Sequence, residues 1–238
     1  MTFPVNPPAR LAGFSASCNP EPLAHMGIRF DAQGRFLKEP GNSVVCHLTE
    51  GSASQGAIIA LRALYQELPE ADKLAFTPVS SLHMTLFQGV IDTRRALPYW
   101  PQDLPLDTPI EDVTEIFCQR LKHFRAGPGF RLGLTALTPT AMILEPVDEE
   151  DKAALADWRD RLARLFGYRH PDHETYEFHV GFAYVLSRFS DTALCHWEEV
   201  LQRETRHFQA KFACLELDPP AFSTFEDMTR FEEVVILD

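Results

Sequence analysis

Apolar and polar positions along the chain alternate between two periods. "NSVVCHL" (Asn42–Leu48) is a short β-branched run after Pro40-Gly41 and predicts a strand. From about Ser54 to Leu68, Ala57, Leu61, Leu64 and Leu68 recur at helical spacing and Pro69 ends the helix. "SSLHMTLFQG" (Ser80–Gly89) returns to the strand period. "ALPYWPQDLPLDTP" follows, with four prolines around Tyr99 and Trp100, and predicts an irregular loop. A second helix opens at Thr108, with Pro109 in the first turn and Glu111 completing a capping box. Val113, Phe117, Leu121 and Phe124 form its apolar stripe. "FRLGLTAL" and "TAMILEP" predict two strands joined by a Thr-Pro turn. A third helix spans about Asp148 to Phe166, stopped by Gly167. "YEFHVGFAYVL" (Tyr176–Leu186) is a further strand, a fourth helix covers about Asp191 to Glu204, and "FACLEL" and "EVVIL" end the chain as strands.

Helix, loop, histidine strand and helix thus occur in the same order twice, with no Gly/Ser linker between the halves. This order predicts an α+β fold of two pseudo-symmetric lobes, each with a mainly antiparallel sheet and packed helices, around a central cleft. Residues 1–238 are expected to form one bilobal domain, with 1–40 as an N-terminal extension.

Strand alternation sorts the side chains of the two histidine strands. Leu82, Met84 and Leu86 share a face assigned to the core, while His83, Thr85 and Phe87 share the other. In the second strand Phe178, Val180, Phe182, Tyr184 and Leu186 make the apolar face. His179, Gly181 and Ala183 lie opposite, where small residues leave room for a ligand or a close backbone approach. A lone strand histidine is most often a packed residue. Two in equivalent strands, each with a small or hydroxyl residue two positions on, point to a site.

A net charge of −12 argues against a groove for duplex DNA, because phosphate neutralisation supplies most of that affinity. A small phosphorylated ligand in a local pocket remains compatible with it. The five cysteines are scattered without a CxxC, which predicts reduced thiols and a cytoplasmic location. The N-terminus lacks a signal-peptide pattern, and no apolar stretch is long enough to span a bilayer.

"HMTL" at His83 and "HVGF" at His179 resemble the paired HxT/S motifs of the two-histidine (2H) phosphoesterase superfamily. The first motif matches, and the second has Gly181 where Ser or Thr is usual. The resemblance implies two lobes sharing a cleft and metal-free chemistry on cyclic phosphodiesters or 2′–5′ linkages. The partner it implies is a small phosphorylated nucleotide or an RNA end. His83 and His179 are then the catalytic pair, and Thr85 and Gly181 the substrate-binding positions of the two motifs; Phe87, on the His83 face, is expected either to contact a base or sugar or to seal the cleft floor. The chemistry agrees with the residue types. Opening a cyclic phosphate needs a base and an acid, and imidazole titrates nearest neutral pH. A threonine hydroxyl can donate to a phosphate oxygen. No metal or cofactor is expected, because neither motif offers a closed ligand set and no Gly-rich phosphate loop occurs. The alternative is a nucleotide-binding module that keeps the cleft without turnover, which Gly181 favours.

Other groupings are weaker. "HPDHETYEFH" brings His170, His173 and His179 close in sequence, but zinc is disfavoured without a third-ligand pattern. His47 is expected to be a packed strand histidine. Tyr99 and Trp100 are equally a lid over a base or anchors for their own loop.

Overall fold

The computed structural model describes residues 6–238. Seven strands make one antiparallel sheet and two more make a small second sheet. In chain order the main elements are β1 (Gly41–His47), α1 (Ala53–Gln66), β2 (Leu74–Phe76), β3 (His83–Ile91) and α2 (Ile110–Leu121). Then come β4 (Leu132–Leu137), β5 (Ala141–Pro146), α3 (Glu149–Phe166), β6 (Phe178–Gly181), β7 (Ala183–Val185), α4 (Asp191–Lys211), β8 (Ala221–Phe225) and β9 (Glu232–Ile236). The large sheet runs β4-β5-β6-β3-β1-β8-β9, and β2 pairs with β7 in the small one.

The α+β class is as expected, but the two halves do not each own a sheet. The histidine strands β3 and β6 are neighbours, with Met84 opposite Val180, so one sheet runs through both halves. Each strand thereby covers an edge that the other would otherwise leave unpaired.

Local sequence explains most boundaries. Ser52 caps α1 by accepting from the Gln55 N–H at 3.1 Å. Asp148 caps α3 through the N–H groups of Glu150 and Asp151, and Gly167 ends it with φ 82°. That conformation suits glycine, which lacks a Cβ. The acidic run at the start of α3 is therefore helix punctuation.

Three expectations need correction. Thr108 does not cap α2: its hydroxyl donates to the Pro105 carbonyl at 2.8 Å, and Pro109 itself stands at the N-cap. α4 continues to Lys211. "FACLEL" is not a strand, because its backbone groups serve several partners in turn. Phe212 N–H closes α4 on Phe208, Leu215 N–H donates to Leu132, and Glu216 C=O accepts from Thr49. The strand beside β1 is instead Ala221–Phe225.

The proline-rich loop is anchored by Trp100, which is fully buried and donates its indole N–H to Pro105 C=O at 3.0 Å. Tyr99 packs over Arg94 and against His170. Neither aromatic lines the cleft described below.

Candidate active site

Antiparallel pairing of Met84 with Val180 sets the geometry of the site. Both of these side chains are fully buried in the core. Their strand neighbours therefore project from the other face, where Thr85 falls beside His179 and His83 beside Gly181. Each histidine sits next to the second residue of the other motif. All four positions line one cavity of about 610 Å³.

Both imidazoles are oriented by the same local device. His83 Nδ1 lies 2.7 Å from Ser81 C=O, and His179 Nδ1 lies 2.9 Å from Glu177 C=O. A carbonyl can only accept, so each Nδ1 carries the proton and each Nε2 is left for the cleft. The ring of Phe231 covers His83 with centroids 4.0 Å apart. Phe231 is kept there because the chain before it is pinned to the start of β3: Ser81 Oγ donates to Met228 C=O at 2.6 Å. Burial lowers the His83 pKa to about 4, with His47 and His179 adding to the shift and the Ser81 hydrogen bond opposing it. His83 is thus neutral at physiological pH.

Thr85 lines the cleft as expected, whereas Phe87 does not. Phe87 is 1% exposed and packs against Phe166 and Tyr168 in the core. The cause is a β-bulge. Val45 pairs with Thr85 but Val44 pairs with Phe87, so Leu86 is the extra residue. Beyond it the alternation flips, and Gln88 takes the cleft face. Side chains satisfy the carbonyls around the bulge. Arg159 donates to Leu86 C=O at 2.6 Å, Ser43 to Phe87 C=O at 3.1 Å and Tyr168 to Gln88 C=O at 3.0 Å. The Arg159 guanidinium also lies 4.3 Å from the Tyr176 ring centre, and Tyr176 forms part of the cleft wall. Burial raises the Tyr176 hydroxyl pKa to about 12, so it stays a neutral hydroxyl.

Gly181 has open space where a side chain would go: a Cβ there meets nothing within 4 Å. The residue is therefore not required by a close backbone approach. Gly181→Ser should fold with a stability change under ~1 kcal/mol. It should bind a phosphate analogue at least as tightly as the parent in calorimetric titration. Loss of that binding would mean that the ligand fills the space.

The cleft also gathers residues that no motif announced. His25 and Arg29 come from the segment expected to be an N-terminal extension, Arg94 follows β3, and Arg188 follows β7. Tyr184, expected on the apolar face, lines the cleft as well, because the chain leaves the large sheet at Phe182 and pairs with β2. Among the described residues no Asp or Glu lines the cavity, although the chain carries a net charge of −12. Arg29 is balanced from behind by buried Glu39, 2.7 Å away, which Thr93 also contacts. Arg188 donates to the carbonyls of Gly13 and Glu21 and so ties the N-terminal segment to the wall.

His47 pairs with His83 across β1 and β3, but its Nδ1 meets Glu233 at 3.0 Å and it does not line the cavity. The three histidines of "HPDHETYEFH" are not brought together. His170 and His173 are buried beside Phe87, and only His179 reaches the cleft. Asp160, His173 and Glu174 do cluster closely enough to suit a metal ion. Arg169 occupies both carboxylates and His173 Nε2 is held by Asp160, so the group is accounted for as an ion-pair network.

A family model described as "Domain of unknown function (DUF1868)" and labelled 2H-phosphodiest matches residues 29–143. That span contains the His83 motif and stops before His179. A search of curated proteins gives no match. The crystal structure of a conserved protein of unknown function from Agrobacterium tumefaciens is 48% identical, with a TM-score of 0.95. The alignment covers 97% of this chain and 100% of that one, so the similarity extends over both histidine strands. With the His83 motif inside the matched domain and His179 set beside it in the same sheet, the chain belongs to the 2H-phosphodiesterase family of this domain of unknown function (DUF1868).

Proposed function

We propose that the protein is a metal-independent phosphoesterase that opens a cyclic phosphodiester or cleaves a 2′–5′ linkage in a small nucleotide or RNA end. The observation that carries this reading is the pair of imidazoles aimed by backbone carbonyls into a cleft that, among the described residues, holds three arginines and no carboxylate. Family membership supports phosphoester hydrolysis in general. Such a cleft favours an anionic ligand despite the acidic whole.

His83 is the base, because burial keeps it neutral. Its Nε2 removes a proton from water as the water oxygen attacks phosphorus. The bond from phosphorus to the leaving oxygen breaks, and His179, entering the step as imidazolium with its Nδ1–H still on Glu177 C=O, donates its Nε2 proton to that oxygen. Exchange with solvent resets both rings. Thr85 donates to a non-bridging oxygen, where charge grows in the transition state. At Gly181 the matching donor is absent, so stabilisation is one-sided.

The test is hydrolysis of adenosine 2′,3′-cyclic phosphate after exhaustive chelation, followed across pH. Turnover should survive chelation. The acidic limb of kcat/KM should fall near pH 4, because that limb reports the base of the free enzyme. Loss of activity on chelation with recovery on adding zinc would overturn the metal-free reading, and a limb near 6.5 would contradict a base with a lowered pKa. His170, also lowered to about 4 by burial, and His83 bind protons more readily when unfolded. Stability therefore falls as pH drops from 6.5 toward 4, and the profile is to be measured well below the melting temperature.

A further inference from the structure

Arg94 differs from the other cationic groups of the cleft in having no strong partner. Its terminal nitrogens make only long contacts, 3.4 and 3.5 Å, to the side-chain oxygen of Gln88. Its Nε is buried without a hydrogen-bond partner. Among the described residues it forms no ion pair: the carboxylate that acts on it is Asp172, which is exposed and does not bond to it. The guanidinium is nevertheless held in place, 4.5 Å above the ring of Tyr99. Tyr168 fixes the backbone of Gln88 beneath it. A neutral amide thus stands where an arginine usually meets a carboxylate, and an unpaired guanidinium is a costly thing to bury.

Gln88 lies three residues past Thr85 on β3, beyond the bulge, and the Tyr176 hydroxyl faces the side chains of both. Arg29 is neutralised by Glu39 and Arg188 is spent on carbonyls, which leaves Arg94 as the open fork of donors at this end of the cavity.

We infer that Arg94 and Gln88 form a second anion subsite, which takes a terminal phosphate of a substrate whose scissile phosphodiester lies at the histidine pair. This rests on the proposed function, and it narrows the substrate to a nucleotide carrying two phosphates, one cyclic or bridging and one terminal. The guanidinium fork matches two phosphate oxygens and the Gln88 amide can donate to a third.

The experiment compares adenosine 2′,3′-cyclic phosphate with its 5′-phosphorylated counterpart. The parent should prefer the second by at least ~10-fold in kcat/KM, and Arg94→Met should reduce that preference to less than about threefold. Arg203→Met, which removes an exposed charge on α4, should keep the preference. Equal rates in the parent, or a preference retained in Arg94→Met, would overturn the inference. Gln88→Glu guards against misfolding, since it gives Arg94 a carboxylate inside the fold. It should abolish the preference in a protein at least as stable as the parent, and a retained preference there would count against the subsite. If the parent opens neither compound and cleaves no 2′–5′ dinucleotide, the proposed function fails, and calorimetry with adenosine 5′-monophosphate still reads the subsite. The parent should then bind it at least ~10-fold more tightly than Arg94→Met and Gln88→Glu do. Equal affinities would remove the subsite independently of any turnover.

Discussion

His83→Ala and His179→Ala should each lower turnover of a cyclic phosphodiester by at least ~100-fold, with melting temperatures close to the parent's. The two losses should not add in the double variant. Acid and base serve one transition state, so removing either leaves little for the other to do. Both histidines project from the sheet into the cleft, so truncation empties no space in the main core, and His83→Ala loses only the contact of its ring with Phe231. The variants should still bind a phosphate analogue, because Thr85 and the arginines remain. Steady-state rates with melting curves check this, and near-parental activity in either single variant would remove that histidine from the mechanism.

Phe87→Ala should fail differently, by losing stability. Phe87 is 1% exposed among Phe166, Tyr168, His170 and His173, and truncating a buried phenylalanine costs ~3–5 kcal/mol. That is a large part of the stability of a typical domain. Phe87→Leu, which keeps most of the volume, should bind a phosphate analogue as the parent does. Denaturant unfolding and calorimetric titration separate the two effects. A stable Phe87→Ala with weakened ligand binding would return the residue to the cleft wall.

Phe87 also marks where strand periodicity stops being informative. His83 and Thr85 lie before the bulge, so alternation assigns them to the correct face. Phe87 lies just after it, and the inserted residue turns Phe87 to the core and Gln88 to the cleft, before a second irregularity brings Ile91 back to the cleft face. Nothing in "HMTLFQG" marks the insertion. It is held open by Arg159 on α3 and Tyr168 just beyond that helix, far away in sequence. α3 itself was legible, because Asp148 and Gly167 are local signals with local causes. The final strands were harder, since short apolar runs such as "FACLEL" and "AFSTF" carry no period long enough to separate them. Pro219 and Pro220, directly before Ala221, were the boundary signal for the true strand.

Arg29, Arg94 and Arg188 could not have been found together. They come from three loops, and only the fold of the N-terminal segment over the β3–β6 face unites them. The sequence offered an acidic chain with two motif histidines, whereas the cleft is locally basic. Gly181 is a middle case. Its place on the cleft face was read from alternation. The empty space around it removes a neighbouring backbone as the reason for the glycine and leaves a missing donor or a ligand in that space for Gly181→Ser to separate.

The central claim is that His83 and His179 together hydrolyse a phosphodiester without a metal. Phosphorus NMR of adenosine 2′,3′-cyclic phosphate, incubated with the chelated parent in 18O-labelled water, tests it most directly. The account predicts ring opening to one phosphomonoester regioisomer carrying a single 18O on phosphorus, with no such product from His83→Ala or His179→Ala on the same timescale. An unopened ring in this compound, together with uncleaved linkages across a panel of 2′–5′ dinucleotides, would contradict it.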